Sequence, residues 1–294
     1  MVANMVANKE KIPVLILSLL AMALLLATSL TSILSDDGGK PYISTSLRGE
    51  AVEIYGGQGL YQYDTVYKAV GFRGFDWANL FIGAPLFALG LYLYRRGQFK
   101  GQLLLAAMFT YLAWIYLIGV MGNAFNFMFL AWTALFSIGL GGVALILTRI
   151  DISALPEKLE AKFPRKSLSV YVVILGLFLL VQYLIEIIAA YGTGTPPPSL
   201  GIYTTLELAA LELGISIPLH LLGGVLLWKG KAGGYLIASL MALIACLTFI
   251  ALSVSLMLFY FAFGRGSAVD VAVPIVLAVI ASGFSLVIFR RVKN

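Results

Sequence analysis

Glu212, Ser216 and His220 recur at intervals of four residues in LELAALELGISIPLH (206–220), an otherwise apolar stretch that also holds Glu207. At that spacing the three side chains lie along one slowly drifting stripe of a helix, while Glu207 points roughly 140° away from Glu212. His220 is the only histidine of the chain. A carboxylate, a hydroxyl and an imidazole in a row can bind a cation, accept a proton or pass one along, because imidazole titrates near neutrality. Similar groups stand elsewhere in apolar surroundings: Gln182 and Glu186 at i, i+4, Asp76 and Asn79 at i, i+3, Asn123 and Asn126 at i, i+3, and Tyr116.

Each group also has an ordinary role. Asp76, Glu207 and Asp270 fall near expected helix starts, where the helix dipole and interfacial water accommodate a carboxylate. Asn123 and Asn126 suit helix capping, and Gln182 and His220 suit hydrogen bonding between membrane helices. Glu186 and Glu212 are harder to account for this way. Each lies at least a turn inside its segment, where a charge costs about 2.5–3.5 kcal/mol on insertion scales.

Three functions fit. The first is an outward-facing acidic pocket for a small cation or polar solute, in a transporter- or receptor-like protein. Its ligand set would be Glu212, Glu186, Asn79, Asp76, Asn126, Gln182 and Tyr116, with His220 as a deeper proton relay. The second is a membrane-embedded enzyme acting on a lipid or lipid-linked group, with Glu212 or Glu186 as acid/base or metal ligand. The third is an accessory subunit whose polar groups only join helices. Several chemistries are disfavoured. Every lysine lies in a loop or at a helix end, which leaves no intramembrane Schiff-base lysine. One histidine and one cysteine (Cys246) provide neither bis-histidine haem ligation nor a zinc set of nitrogen and sulfur. GLGGVA (139–144) sits inside an apolar segment and reads as close helix packing, not as a nucleotide loop. No cofactor is implied, and no nucleic-acid partner.

The elements that must position these groups are membrane helices. The chain of 294 residues is 61% hydrophobic and 12% charged, against about 25% charged in soluble domains, and its mean hydropathy is +0.96. Eight segments near 13–34, 76–95, 102–121, 124–148, 168–191, 203–228, 233–261 and 269–289 are long enough to cross the hydrocarbon core, which takes roughly 20 residues. The fold class is therefore all-α, a polytopic bundle whose partner is the lipid bilayer.

Fifteen of the 20 lysines and arginines fall in one alternating set of connections. Only Lys40, Arg48, Lys68, Arg73 and Arg265 fall in the other. Cytoplasmic loops retain basic residues, so both termini are expected inside, as eight crossings require. The first segment is longer than the 7–15 residues of a signal-peptide core and is expected to remain as an anchor. Residues 35–75 form the one large outer segment, a loop or small cap in which YGGQG (55–59) reads as the turn of a short hairpin. The basic connection 149–167 is expected to be a surface helix on anionic headgroups.

Sliding the chain by 133 positions sets 80–103 on 213–236 without a gap. Pro85 then meets Pro218, Gly90 meets Gly223, Gly97 meets Gly230 and Gly101 meets Gly234. Asn79 falls on Glu212. The pattern suggests a parallel repeat of segments 1–4 and 5–8, an arrangement with sites near the repeat interface in some transporters.

The stretches YGGQGLYQYDTVYKA, FRGFDWANLFIGAPL, NAFNFMFLAWTALFSIGL and LELGISIPLHLLGGVLLWKGKAGGYL resemble a family of prokaryotic polytopic integral membrane proteins with no established activity. The resemblance spans most of residues 55–240. It implies a bacterial or archaeal plasma-membrane protein and makes the helix-6 carboxylate and the following proline part of a shared pattern. It transfers no catalytic residue.

Overall fold

The computed structural model describes residues 2–293, with side chains from residue 11. Among the described residues eight helices are long and apolar enough to cross a membrane. They are α1 (Val2–Ser35), α2 (Val66–Arg95), α3 (Phe99–Gly122), α4 (Phe129–Leu147), α5 (Arg165–Thr193), α6 (Glu207–Trp228), α7 (Ala232–Phe263) and α8 (Ala268–Arg291). The protein is a multi-pass membrane protein.

The connections collect at two ends. At one, the segment after α1 meets the α3–α4, α5–α6 and α7–α8 connections through Asp64–Ala124, Arg48–Gly201 and Arg265–Glu53 contacts. At the other, the α4–α5 connection holds the C-terminus: Glu160 pairs with Arg291, and the Lys293 amide donates to the Lys158 carbonyl. The expected surface helix at 149–167 is not there. The connection instead makes one 3-10 turn, Leu155–Lys158, and α5 starts at Arg165.

Between α1 and α2 lies an antiparallel hairpin, β1 (Tyr42–Thr45) and β2 (Ala51–Ile54), with Tyr42 opposite Ile54 and Thr45 opposite Ala51. Its turn is Ser46–Glu50 rather than YGGQG. The Ser46 hydroxyl accepts from the Arg48 and Glu50 amides, both at 3.2 Å, and Gly49 supplies the left-handed φ of +87°. YGGQG follows β2 and wraps Asp37, which accepts from the Gln58 amide at 2.9 Å.

The second helix begins ten residues earlier than its apolar stretch, at Val66, with Thr65 as its N-cap. Its first turns carry Lys68 and Arg73, which read as loop residues in the sequence. Both are held sideways, Lys68 by Glu207 at the start of α6 and Arg73 by Asp36 in the segment after α1.

α3 and α7 form the centre of the bundle. α3 packs on α2, α4 and α7, while α7 packs on α2, α6 and α8. Both α2 and α6 contain one wide π turn, at Asn79–Gly83 and Glu212–Ser216. Pro85 and Pro218 follow two residues after each turn. A proline lacks its own N–H and crowds the carbonyl four residues back. Those carbonyls, of Phe81 and Gly214, lie inside the π turns, so the turn absorbs the kink.

The ends of the two helices match in detail as well. The Gly97 amide donates to the Tyr94 carbonyl at 2.9 Å, and the Gly230 amide to the Leu227 carbonyl at 2.9 Å. Gln98 donates to Leu93 at 3.1 Å and Lys231 to Leu226 at 2.9 Å. Gly97 and Gly230 take φ of +75° and +71°. Gly101 and Gly234 then let the next helix press onto the backbone of Tyr94 and Leu227. The two ends differ in their cover. α1 lies across α2 and α4, whereas α5 packs chiefly on α6 and meets α8 through the stacked rings of Tyr171 and Phe284, 4.5 Å apart.

Candidate functional site

The polar residues singled out in the sequence do not share one pocket: most fall in two separate places, some stand apart, and a third buried polar place lies at the hairpin end. Asp76, Asn79 and Tyr116 are buried together between α1, α2 and α3. Asp76, 5% exposed, accepts from the Tyr61 hydroxyl at 2.6 Å and from the Ser29 hydroxyl at 3.4 Å. Asn79 accepts from the Tyr111 hydroxyl at 2.7 Å, and Tyr116 shares a 3.1 Å hydrogen bond with Thr28. The rings of Tyr61, Phe72 and Tyr116 surround Trp132 at 6.0, 6.0 and 6.4 Å. Because α2 starts at Val66, Asp76 is mid-helix, and neither a helix N-terminus nor interfacial water accounts for it. Hydroxyl donors satisfy it instead, and a satisfied buried network rigidifies its surroundings.

The second place is around Tyr183 of α5. Glu186, Glu207 and Glu212 all lie within electrostatic reach of its hydroxyl, and Glu186 and Asp270 within reach of that of Tyr67. Glu186 accepts from the Ser199 amide at 3.1 Å. Glu212, on the π turn of α6, is half-buried; its Oε2 is enclosed and has no hydrogen-bond partner, while the Ser216 side chain is in bonding reach of the carboxylate. His220, 5% exposed, lies against α5 at Gly176. Its Nδ1 stands 2.8 Å from the Ser216 carbonyl and 3.5 Å from the Ser216 hydroxyl. A carbonyl only accepts, so Nδ1 carries the proton. Nε2 is then a bare lone pair, enclosed and without a partner.

Gln182 and Asn126 do not join this group. Gln182 is on the exposed flank of α5. Asn126 is used locally ahead of α4, accepting from the Met128 amide at 2.9 Å and donating to the Ala124 carbonyl at 3.3 Å. Asp270 completes a capping box with Ser267.

The third place, at the hairpin end, was not foreseen in the sequence. Asp64 is fully buried. Its Oδ1 accepts from the Ala124 amide and from the Tyr203 hydroxyl, both at 2.7 Å, and its Oδ2 has no partner. Burial pushes its carboxyl up to about 6, against the pull of those two donors. Beside it, Lys68 binds Glu207, donates to the Gly122 carbonyl at 2.5 Å and stands 3.7 Å over the Tyr203 ring. The clue in the sequence was the aromatic-rich YQYDTVYK, whose aspartate precedes a helix start hidden by Lys68.

Charge accounting separates these places. Each of the five cations at the hairpin end has an acidic partner: Lys40 with Asp37, Arg48 with Glu50, Lys68 with Glu207, Arg73 with Asp36 and Arg265 with Glu53. Glu186 and Glu212 receive none of them. No three His, Cys, Asp or Glu side chains among the described residues group closely enough to hold a metal ion. No family model, no curated protein and no solved structure matches the chain.

Proposed function

We propose that the protein is a transporter-type membrane protein whose site, centred on Glu212, binds a small cation or a proton-coupled polar solute. One observation carries this reading. The same device, a π turn followed by proline, occurs in α2 and α6, but only the α6 copy bears a carboxylate with an unpartnered oxygen. In α2 the equivalent Asn79 is answered by Tyr111 and covered by α1. In α6 the equivalent Glu212 is covered less completely, and π turns recur at functional sites.

The matched helix ends support a parallel four-plus-four repeat, in which the first half is a scaffold and the second carries the site. Glu186, within electrostatic reach of the same tyrosine hydroxyl as Glu212, is the second acidic ligand. Ser216 and His220 extend the site inward: the Ser216 side chain is in bonding reach of the Glu212 carboxylate, and His220, whose Nδ1 proton is held by the Ser216 carbonyl, takes up a proton only at its free Nε2. The bias of basic residues favours the hairpin end outside the cell, so the site faces outward.

The test is ligand-dependent thermal stabilisation of the purified protein across a panel of monovalent and divalent cations and pH values, followed by flux in proteoliposomes. Glu212→Gln is expected to abolish the response and Glu186→Gln to weaken it at least tenfold. An unchanged cation response in Glu212→Gln rejects the site.

A further inference from the structure

We propose that Asp64 operates a proton-controlled latch, holding the α3–α4 and α5–α6 connections together over the start of α6. The geometry is that of a three-way joint. Asp64 comes from the segment ahead of α2, and its single oxygen Oδ1 accepts both the Ala124 amide of the α3–α4 connection and the Tyr203 hydroxyl of the α5–α6 connection. Tyr203 is further fixed to the joint, since its hydroxyl accepts from the Thr65 amide at 3.3 Å. Arg48 of the hairpin turn donates to the carbonyls of Gly201 and Tyr203, at 2.6 and 3.0 Å. The held segment ends at Glu207, where α6 begins, five residues before Glu212.

The groups facing Asp64 set the sign of its response. From α2 comes Lys68, whose charge favours the carboxylate; from the α5–α6 side come Tyr203, which donates to it, and Glu207, which opposes its charge. The α3–α4 connection contributes the neutral Ala124 amide, which donates to Oδ1, while Oδ2 is buried without a partner. Desolvation outweighs the favourable contacts: the carboxyl titrates at about 6 in the joint, against 3.8 for a solvated aspartate. A joint that holds its proton more tightly than water does is stabilised by acid. A carboxyl that titrates at about 6 when closed and at 3.8 when open changes the closing equilibrium by about a hundredfold. The latch is tightest below pH 3.8 and loses that factor as the pH rises through about 6. Its consequence, that acid closes the path to Glu212 and neutral pH loosens it, rests on the function proposed above. The latch itself does not.

Hydrogen exchange of the Ala124 amide reads the joint directly, because that amide donates to Asp64. In the full-length protein in nanodiscs, protection corrected for intrinsic exchange is expected to fall by about thirtyfold between roughly pH 4.5 and 8, most of the full range. Asp64→Asn is expected to flatten this profile. Tyr203→Phe removes one donor to the carboxylate and is expected to move the midpoint upward; it decides the matter if Asp64→Asn does not fold. Glu212→Gln is expected to leave the profile unchanged, so the latch and the cation site can fail separately. A flat profile in the native chain, a full pH response in Asp64→Asn, or an unmoved midpoint in Tyr203→Phe overturns the latch.

Discussion

At the scale of single residues, the buried acids are distinguished by what answers them. Asp76 has a short bond from Tyr61, and removing that donor leaves a buried carboxylate short of a partner. Tyr61→Phe is therefore expected to cost about 1.5–3 kcal/mol, seen as a lower midpoint in thermal unfolding of the purified protein. Glu212→Gln should behave oppositely in the absence of ligand. It removes a charge with an enclosed, unpartnered oxygen, so its unfolding midpoint is expected to stay the same or rise. Both residues stood out in the sequence for the same reason, a carboxylate in an apolar segment. Composition carries the cost of burial but not its compensation, because Tyr61, Ser29 and Tyr111 come from 15 to 47 residues away in the chain. Hence the sequence grouped Asp76 and Asn79 with Glu212, and the structure separates them.

At the scale of elements, the apolar runs located all eight helices, and the errors fall where polar side chains find partners across the fold. Lys68 and Arg73 hid the start of α2 because their ion pairs lie with Glu207 and Asp36. A hairpin was one reading of the outer segment beside a plain loop, and its turn was misplaced: three glycines in YGGQG outweighed Ser46, whose hydroxyl makes the tighter turn. The match of 80–103 with 213–236 was visible as shared prolines and glycines, and the structure gives those positions equivalent backbone roles. A Cβ on Gly101 overlaps the backbone of Tyr94, and one on Gly234 overlaps the backbone of Leu227. Gly101→Ala and Gly234→Ala are each expected to destabilise by about 1–3 kcal/mol, the range for forced overpacking. Gly233, where a Cβ meets nothing within 4 Å, is the control: Gly233→Ala is expected to stay within about 0.5 kcal/mol. Comparable losses at both glycines, read from thermal unfolding, would mark the two helix ends as one device used twice.

At the scale of the whole molecule, the orientation proposed for the bundle rests on its asymmetry of charge. The hairpin end holds only five of the 20 lysines and arginines, Lys40, Arg48, Lys68, Arg73 and Arg265, so few basic residues there resist translocation. The opposite end carries a surplus that short loops present to the membrane surface: Arg95, Arg96 and Lys100 beside Lys229 and Lys231. Basic residues in short loops resist translocation, and the structure concentrates them at the end where the α4–α5 connection and the C-terminus meet. With Cys246 replaced by serine, Leu47→Cys on the hairpin tip is expected to react with a membrane-impermeant maleimide in intact cells. Ser153→Cys on the α4–α5 connection is expected to react only after permeabilisation. The reverse pattern would turn the bundle over, place Glu212 on the cytoplasmic half and make the Asp64 joint a sensor of internal pH. Labelling of both positions in intact cells would break the eight-span alternation itself.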